Sequence, residues 1–322
     1  MRRRDFIPFI GSTALWPLAA RAQRSAKVTT VGVLASQMLP PVRRFTAKLQ
    51  ELGYTEGRNL RIEYRFAEGH DERYAALASD LAALPVDVIV TSGTPAALAA
   101  KRATSKIPIV MASIGEAVST GVVSNLARPG GNITGFTGLN LELEGKRLAL
   151  LKELLPHLSR VGLLANKTNP LFDVSFKTLR PAADGLGLTL ELCEVRDRED
   201  VENALRQLEK AHPDGVVVPA DTLLLSKRRE IAASLTKSRL PAIYAFQEYV
   251  EAGGLMIYGA SLTAMFENAA GYVDKIFKGA NPGDLPVQQA TEFELTLNLK
   301  VAAALGLKVP SSLIARADKL IE

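Results

Sequence analysis

The segment Thr91-Ser92-Gly93-Thr94-Pro95 has the residue types of an anion-binding loop. The apolar run VDVIV precedes it and predicts a strand, and the alanine-rich run after it predicts a helix. Thr94 is a good N-cap residue, and Pro95 fits the first helical position. Backbone N–H groups and the Ser92 and Thr94 hydroxyls would then face a bound anion. Plain helix capping without a ligand is the alternative, because these residue types cap many helices.

Small polar residues also follow several other predicted strands. In open parallel sheets, ligands bind beyond the carboxyl ends of the strands, so these residues are expected in one cleft. We expect two aromatic residues, Phe246 and Tyr258, to form walls of that cleft. The full set of candidate ligand-binding residues is Ser36, Thr91, Ser92, Gly93, Thr94, Ser113, Glu116, Asn166, Thr168, Asn169, Asp221, Phe246 and Tyr258.

Several candidates also have a purely structural interpretation. Asp221 either pairs with a ligand ammonium or caps the helix that follows it, and Glu116 either contacts ligand or caps a turn. The polar residues before Pro170 fit an ordinary turn. The two aromatic residues fit a core as well as a cleft wall.

Residues with the spacing of a catalytic or metal site are missing from the sequence. The three histidines, His70, His157 and His212, have no metal-ligand spacing to one another. Ser92 lies in V-T-S-G-T, which lacks the G-x-S-x-G pattern of a nucleophile elbow. Cys193 is the one cysteine and has no partner for a disulfide. We therefore expect no enzyme, no catalytic residue, no metal and no cofactor.

The elements that must position the candidates alternate between short apolar strands and helices. This alternation predicts an α/β fold with two Rossmann-like lobes, each with a parallel sheet, joined by crossover strands. We expect residues 23–137 plus 247–284 in the N-terminal lobe and residues 138–246 plus 285–322 in the C-terminal lobe. The chain is expected to cross between lobes near 135–140, 246–253 and 285–291.

Residues 1–22 have the composition of an export signal. A charged start precedes the apolar stretch Phe6–Ala20, and Ala20-Arg21-Ala22 fits a cleavage site that leaves Gln23 as the mature start. The start Arg3-Arg4-Asp5-Phe6-Ile7 resembles a twin-arginine signal, with an ordinary secretory leader as the alternative. We expect a periplasmic protein whose mature chain does not insert into the membrane.

The basic balance of the chain comes mostly from this leader. The whole sequence has 39 Lys and Arg against 34 Asp and Glu. The leader holds four of the Arg and one Asp, so the rest has 35 basic and 33 acidic residues. This near-neutral charge, without a basic stripe among aromatic residues, argues against a nucleic-acid partner.

Long stretches of the chain resemble one protein family. The runs ELGYTEGRNLRIEYRFAEG, TSGTPAALAAK, NLARPGGNITGFT and PAIYAFQEYVEAGGLMIYG are similar to the substrate-binding proteins of ABC transporters, in the tryptophan/tyrosine-uptake-like branch. The resemblance implies the type I periplasmic binding protein fold and capture of a small solute without catalysis. It also implies that Thr91–Pro95 holds a ligand carboxylate and that Ser36, Ser113, Asn166, Thr168, Asn169 and Asp221 line the cleft.

One departure from the family pattern bears on the ligand. Many members have Glu where this chain has Ala245. If that Glu balances a ligand ammonium, its absence makes a carboxylate without an amine a competitor to an α-amino acid. Glu116 in G-E-A-V and Ile257 in G-L-M-I-Y-G are two further departures.

Together these features predict the periplasmic substrate-binding component of an ABC uptake transporter. Its ligand would be a small carboxylate-bearing solute, either an amino acid such as an aromatic one or an aryl carboxylate. Its protein partner would be an ABC permease in the inner membrane, bound transiently. A periplasmic receptor that feeds a sensor system is the alternative.

Overall fold

Two helix-flanked sheets make up the fold. The computed structural model describes residues 28–138 and 140–322. The expected export signal and its cleavage site lie outside the described residues. Within the described residues, helices and mostly parallel strands alternate, which confirms the α/β class. No helix in this part of the chain is long and apolar enough to cross a membrane.

The described residues form thirteen strands. In chain order they are β1 Thr29–Ala35, β2 Leu60–Phe66, β3 Val88–Ser92, β4 Ile109–Gly115, β5 Ile133–Gly138, β6 Arg160–Asn166, β7 Thr189–Val195, β8 Gly215–Val218, β9 Ala242–Tyr244, β10 Met256–Ala260, β11 Gln288–Gln289, β12 Phe293–Asn298 and β13 Lys319–Ile321.

Twelve α-helices connect and cover these strands in the described part of the chain. They are α1 Pro40–Glu51, α2 Tyr74–Ala83, α3 Thr94–Ala103, α4 Asn140–Leu154, α5 Leu171–Gly185, α6 Asp200–Ala211, α7 Thr222–Ser226, α8 Arg228–Lys237, α9 Glu248–Glu251, α10 Leu262–Phe277, α11 Leu299–Ala304 and α12 Ser311–Arg316. Short 3-10 turns occur at Asp71–Arg73 and Pro282–Asp284.

The first sheet has the strand order β11-β5-β4-β3-β1-β2, and every pair is parallel. Its inner strands β1, β3, β4 and β5 are mostly buried on both faces because helices cover both, whereas the edge strands β2 and β11 are partly or largely exposed. In β1, Val31 and Val33 join the core beneath α1 and α10, whereas Leu34 joins the core beneath α2 and α3. This alternation follows from the period of two residues in a pleated strand.

The second sheet has the strand order β13-β12-β10-β9-β8-β6-β7. Strands β10 and β12 are antiparallel, and the other pairs are parallel. The apolar run Gly215–Val218 is wholly buried at the middle of this sheet, as expected for a strand covered on both faces.

The sheets divide the chain differently from the expected lobe boundaries. Strand β10 was expected in the first lobe, but it pairs with β9 and β12 of the second sheet. Strand β11 was expected in the second lobe, but it pairs with β5 of the first sheet. The second crossing therefore lies between β10 and α10 rather than near residues 246–253. The single-turn helix α9 explains the error, because it returns the chain to the same sheet.

Strand β5 was another omission of the sequence analysis, which placed a crossing at residues 135–140. Its six residues are all buried between β4 and β11. Gly135 makes this possible, since a Cβ there would lie 2.2 Å from the carbonyl oxygen of Met111 at a φ of +129°. The first crossing follows directly after the strand ends at Gly138.

Gly259, next to the second crossing, allows two backbone segments to touch. A Cβ on Gly259 would lie 1.9 Å from the carbonyl oxygen of Ala245. We expect Gly259→Ala to lower the free energy of unfolding by about 2–3 kcal/mol, because backbone cannot yield as a flexible side chain does. Chemical denaturation followed by circular dichroism measures this change.

Gly271→Ala is the matched control. Gly271 lies within α10 with no atom within 4 Å of the added methyl group. This change is expected to stabilise the protein by about 0.5–1 kcal/mol, since alanine favours a helix. Equal effects of the two substitutions would contradict the packing described at Gly259.

Candidate functional site

A cleft lies where the carboxyl ends of the two sheets face each other. Its empty volume is about 810 Å³ when the open solvent at its mouth is included. Eight of the thirteen candidate residues line it: Ser36, Ser92, Gly93, Thr94, Ser113, Asn169, Asp221 and Phe246. The other five, Thr91, Glu116, Asn166, Thr168 and Tyr258, do not.

The two lobes touch across this cleft. The side-chain amide of Gln37 lies 3.5 Å from the carbonyl oxygen of Leu225, and the Arg198 guanidinium donates to the carbonyl of Glu68. Gly93 packs so closely on Thr222 that a Cβ there would lie 2.7 Å from its methyl group. The structure therefore represents a closed arrangement of the lobes.

The predicted anion loop lies in the first lobe, with one correction. Helix α3 begins at Thr94 and its N-cap is Gly93, with φ of +93°, so the prediction of Thr94 as N-cap is wrong. The Thr94 hydroxyl instead accepts a hydrogen bond from the N–H of Gly115 at 3.2 Å. Pro95 has no N–H, which leaves Thr94 and Ala96 as backbone donors at the helix start.

In the second lobe, Asp221 organises a buried polar network. Its Oδ2 accepts hydrogen bonds from the amides of Asn166 and Asn169, at 2.9 and 2.8 Å. Its Oδ1 accepts from the N–H of Leu224 at 2.8 Å, so Asp221 caps α7, which was one of the two alternatives for this residue. The exposed Thr168 acts indirectly, since its hydroxyl donates to Asn166 Oδ1 at 2.7 Å.

Asp71 is a residue near the cleft that the sequence analysis missed, although it is not part of the cleft lining. It belongs to the first lobe, and both of its carboxylate oxygens are buried without a hydrogen-bond partner. Burial, followed by the charge of Asp221 in the opposite lobe, raises the pKa of Asp71 to about 7. Asn166 lies near enough to lower this pKa in part, although it is not at ordinary hydrogen-bond distance.

Asp221 differs from Asp71 because several hydrogen bonds stabilise its charged form. Burial raises its pKa, but the amides of Asn169 and Asn166 and the backbone N–H of Leu224 lower it. Closure thus places two carboxylates from opposite lobes in one buried region. One of them is fully hydrogen-bonded, and the other lacks any donor.

Three candidates are excluded from the cleft by their position in the fold. Glu116 accepts a hydrogen bond from the N–H of Leu141 at 3.2 Å, so it supports the first crossing. Tyr258 packs in the core of the second lobe, because its strand turns that side chain toward α4. Thr91 is completely buried within β3.

Apolar side chains cover much of the remaining cleft surface, and the sequence analysis missed most of them. They come mainly from α1, from α10 and from the second lobe: Leu39, Val42, Leu171, Leu225, Leu262, Met265 and Phe266. The apolar spacing in α10 is typical of a helix but gives no sign that its first turn reaches the cleft. Among the described residues, no cluster of His, Cys, Asp and Glu has the arrangement of a metal site.

Comparisons with known proteins agree with this architecture. The sequence model of the family described as "ABC transporter substrate binding protein" matches residues 33–321. The chain belongs to this family. The resemblance stated from the motifs is confirmed, and the protein is accordingly a solute-binding protein rather than an enzyme.

Three relatives illustrate the similarity. A "Tyrosine-binding protein" of Clostridioides difficile (strain R20291) is 26% identical over 82% of this chain and 76% of its own. A conserved domain protein from Vibrio cholerae is 27% identical, with a TM-score of 0.85, and the match covers 91% of this chain and 100% of that one. A Streptococcus pneumoniae domain in complex with L-Trp is 26% identical, with a TM-score of 0.83 and coverage of 91% and 99%.

The two carboxylates should respond differently to removal. We expect Asp221→Ala to lower the free energy of unfolding by about 3 kcal/mol, because it leaves two buried amides and a helix N–H unpaired. Asp71→Ala should change it by less than about 0.5 kcal/mol, or raise it, because no donor loses a partner. Denaturant titration measures both, and an equal loss would contradict the assigned hydrogen bonds.

Proposed function

We propose that the protein is the extracytoplasmic solute receptor of an ABC uptake transporter and that it binds an α-amino acid. The observation that carries this proposal is a pair of carboxylates with buried oxygens, Asp71 and Asp221, which come from opposite lobes and lie near each other beside the cleft. The names of the relatives from Clostridioides difficile and Streptococcus pneumoniae, which refer to tyrosine and L-Trp, support it.

The first lobe would bind the ligand carboxylate. Residues Ser92–Thr94 line the cleft at the start of α3, where backbone N–H groups favour an anion. Ser36 adds a buried hydroxyl whose oxygen has no hydrogen-bond partner, and Ser113 adds a second hydroxyl nearby. These groups can satisfy both oxygens of a carboxylate with charge-assisted hydrogen bonds.

The ligand ammonium would lie beside Asp71. An ammonium has three N–H donors, whereas Asp71 has buried acceptor oxygens without any donor. Asp71 would therefore compensate for Ala245, where many family members have Glu. A carboxylate ligand without an amine would leave the Asp71 charge buried and facing Asp221, which is costly. This argument favours the amino acid over the amine-free carboxylate.

The ligand side chain would be apolar or aromatic. Phe246 from the second lobe and Met265 and Phe266 from the first lobe offer apolar cover on the cleft wall. Burying a ring against such a wall contributes a large part of the binding free energy.

Ligand binding would shift the lobes from an open to a closed arrangement, because only the closed form contacts the ligand from both sides. An inner-membrane permease would recognise the closed form transiently. The leader supports delivery to the periplasm. If Arg3 and Arg4 belong to a twin-arginine signal, export would follow the twin-arginine route. A receptor that passes occupancy to a sensor would close in the same way. Genes for a permease and an ATPase next to the gene of this protein would favour the transport role.

Isothermal titration calorimetry with matched ligands tests the amino acid proposal. L-tyrosine and L-tryptophan should bind at least about tenfold more tightly than 3-(4-hydroxyphenyl)propionate and indole-3-propionate, because the latter pair lacks the ammonium. Asp71→Asn should lower the affinity for the two amino acids by about tenfold and change the affinity for the two propionates much less. The control is Glu72→Gln, since the neighbouring Glu72 is exposed. Equal affinities for both ligand classes in the unmodified protein would refute the proposal.

A further inference from the structure

The two lobes also touch outside the cleft lining, through a loop of residues 67–70 that follows β2. The Arg198 guanidinium of the second lobe donates to the backbone carbonyl of Glu68 in this loop. A Cβ on Gly69 would lie 2.3 Å from Ser226 Oγ and 3.4 Å from Arg198 Cδ, so the loop backbone packs directly against both side chains. These four residues form the rim contact, and none of them lines the cleft.

The loop is connected to two residues of the proposed ligand site. The N–H of Ala67 donates to the carbonyl of Ala35 at 3.0 Å, and the N–H of Glu68 donates to the carbonyl of Ser36 at 2.6 Å. Asp71 follows Glu68 by three residues and begins the next turn. The position of the loop therefore determines where Ser36 and Asp71 lie relative to the second lobe.

The backbone of the loop is held in an unusual conformation. Glu68 has a φ of +59° and Gly69 a φ of +84°, both in the left-handed region. For a residue other than glycine this conformation costs free energy and persists where surrounding contacts stabilise it. The Glu68 side chain pairs with Arg73 of its own lobe at 3.1 Å, whereas its carbonyl oxygen accepts from Arg198 of the other lobe.

Arg198 is suited to this contact by its chemistry and its place in the chain. It lies in the turn between β7 and α6 and is only partly exposed. Its guanidinium keeps its charge at every physiological pH, and a hydrogen bond from a charged donor is about twice as strong as a neutral one. Arg196, two residues earlier, instead pairs with Asp200 of its own lobe at 3.0 Å.

We infer that Arg198 is a positioning residue for ligand binding, which holds the loop of residues 67–70 across the rim and slows ligand release without touching the ligand. The rim contact uses groups of the chain alone, so it stabilises the closed arrangement equally for every ligand. It forms as the lobes close, after the ligand has entered, and so acts on dissociation rather than association. The inference uses the proposed function only for the choice of test ligand.

Stopped-flow fluorescence with L-tryptophan tests this role. Arg198→Met keeps a long side chain but removes the donor, and it should raise the dissociation rate constant at least about fivefold while changing the association rate constant by less than about twofold. Arg198→Lys retains a charged donor and should recover most of the difference. Arg196→Met is the matched control and should leave both rate constants unchanged.

The preference among ligands is a second readout of the same variants. Calorimetry should show that Arg198→Met lowers the affinities for L-tryptophan and indole-3-propionate by the same factor. A loss confined to one of these ligands would mean that Arg198 acts on the ligand itself, and it would overturn the inference. An unchanged dissociation rate constant in Arg198→Met would overturn it as well.

A measurement without ligand separates the rim contact from the proposed function. Spin labels at Arg102→Cys in α3 and Lys210→Cys in α6, in a Cys193→Ala background, report the distance between the lobes by pulsed electron paramagnetic resonance. We expect a minor closed population, which Arg198→Met reduces at least about threefold and Arg196→Met does not. Equal closed populations overturn the inference. A selective reduction supports it even if no amino acid binds, in which case only the proposed function fails.

Discussion

The burial of two carboxylates from opposite lobes, Asp71 and Asp221, is the constraint on which this structure depends. Asp71 in the first lobe and Asp221 in the second lie close enough in this structure for the charge of Asp221 to raise the pKa of Asp71. Burial raises both pKa values, and the charge of Asp221 raises the pKa of Asp71 further, so closure around an empty or uncharged site is unfavourable near neutral pH. A ligand ammonium between the lobes would remove this penalty. The same feature would thereby determine which ligands close the protein and hold the unliganded lobes apart.

The scaffold explains why these groups meet. Parallel strands place their carboxyl ends at one edge of each sheet, and three crossings set the two edges face to face. The close approach of Gly259 to Ala245 ties the second crossing to the end of β9. Asp221 is held by Asn166, Asn169 and the start of α7, so its position is rigid. Asp71 lies in a short turn after β2 and has no such support, which suits a group that must be satisfied by the ligand.

The sequence predicted those parts of the site that follow from local pattern. Ser92, Thr94, Asn169 and Asp221 directly follow predicted strands, and the strand-end rule placed them in the cleft. The same rule was not applied to the strand Leu60–Phe66, where it would have drawn attention to the polar stretch leading to Asp71.

Other features depend on tertiary packing that no local pattern encodes. Tyr258 and Ile257 are neighbours in one strand and join different cores, and the sequence does not say which face meets the cleft. Phe266 reaches the site only because α10 crosses back to the first sheet. Glu144 is buried on α4, which packs against α5, although a Glu on a helix ordinarily predicts a solvated side chain.

The most direct test of the account is the number of protons exchanged when a ligand binds. Calorimetry at about pH 6 in buffers of different ionisation enthalpy measures this number. A carboxyl whose pKa rises from its usual range to about 7 on closure takes up a proton at this pH, unless an ammonium stabilises its charged form. Binding of 3-(4-hydroxyphenyl)propionate should therefore take up close to one proton, lost in Asp71→Asn, whereas L-tyrosine should take up far less. Equal proton uptake for both ligands would contradict the central role of the two carboxylates.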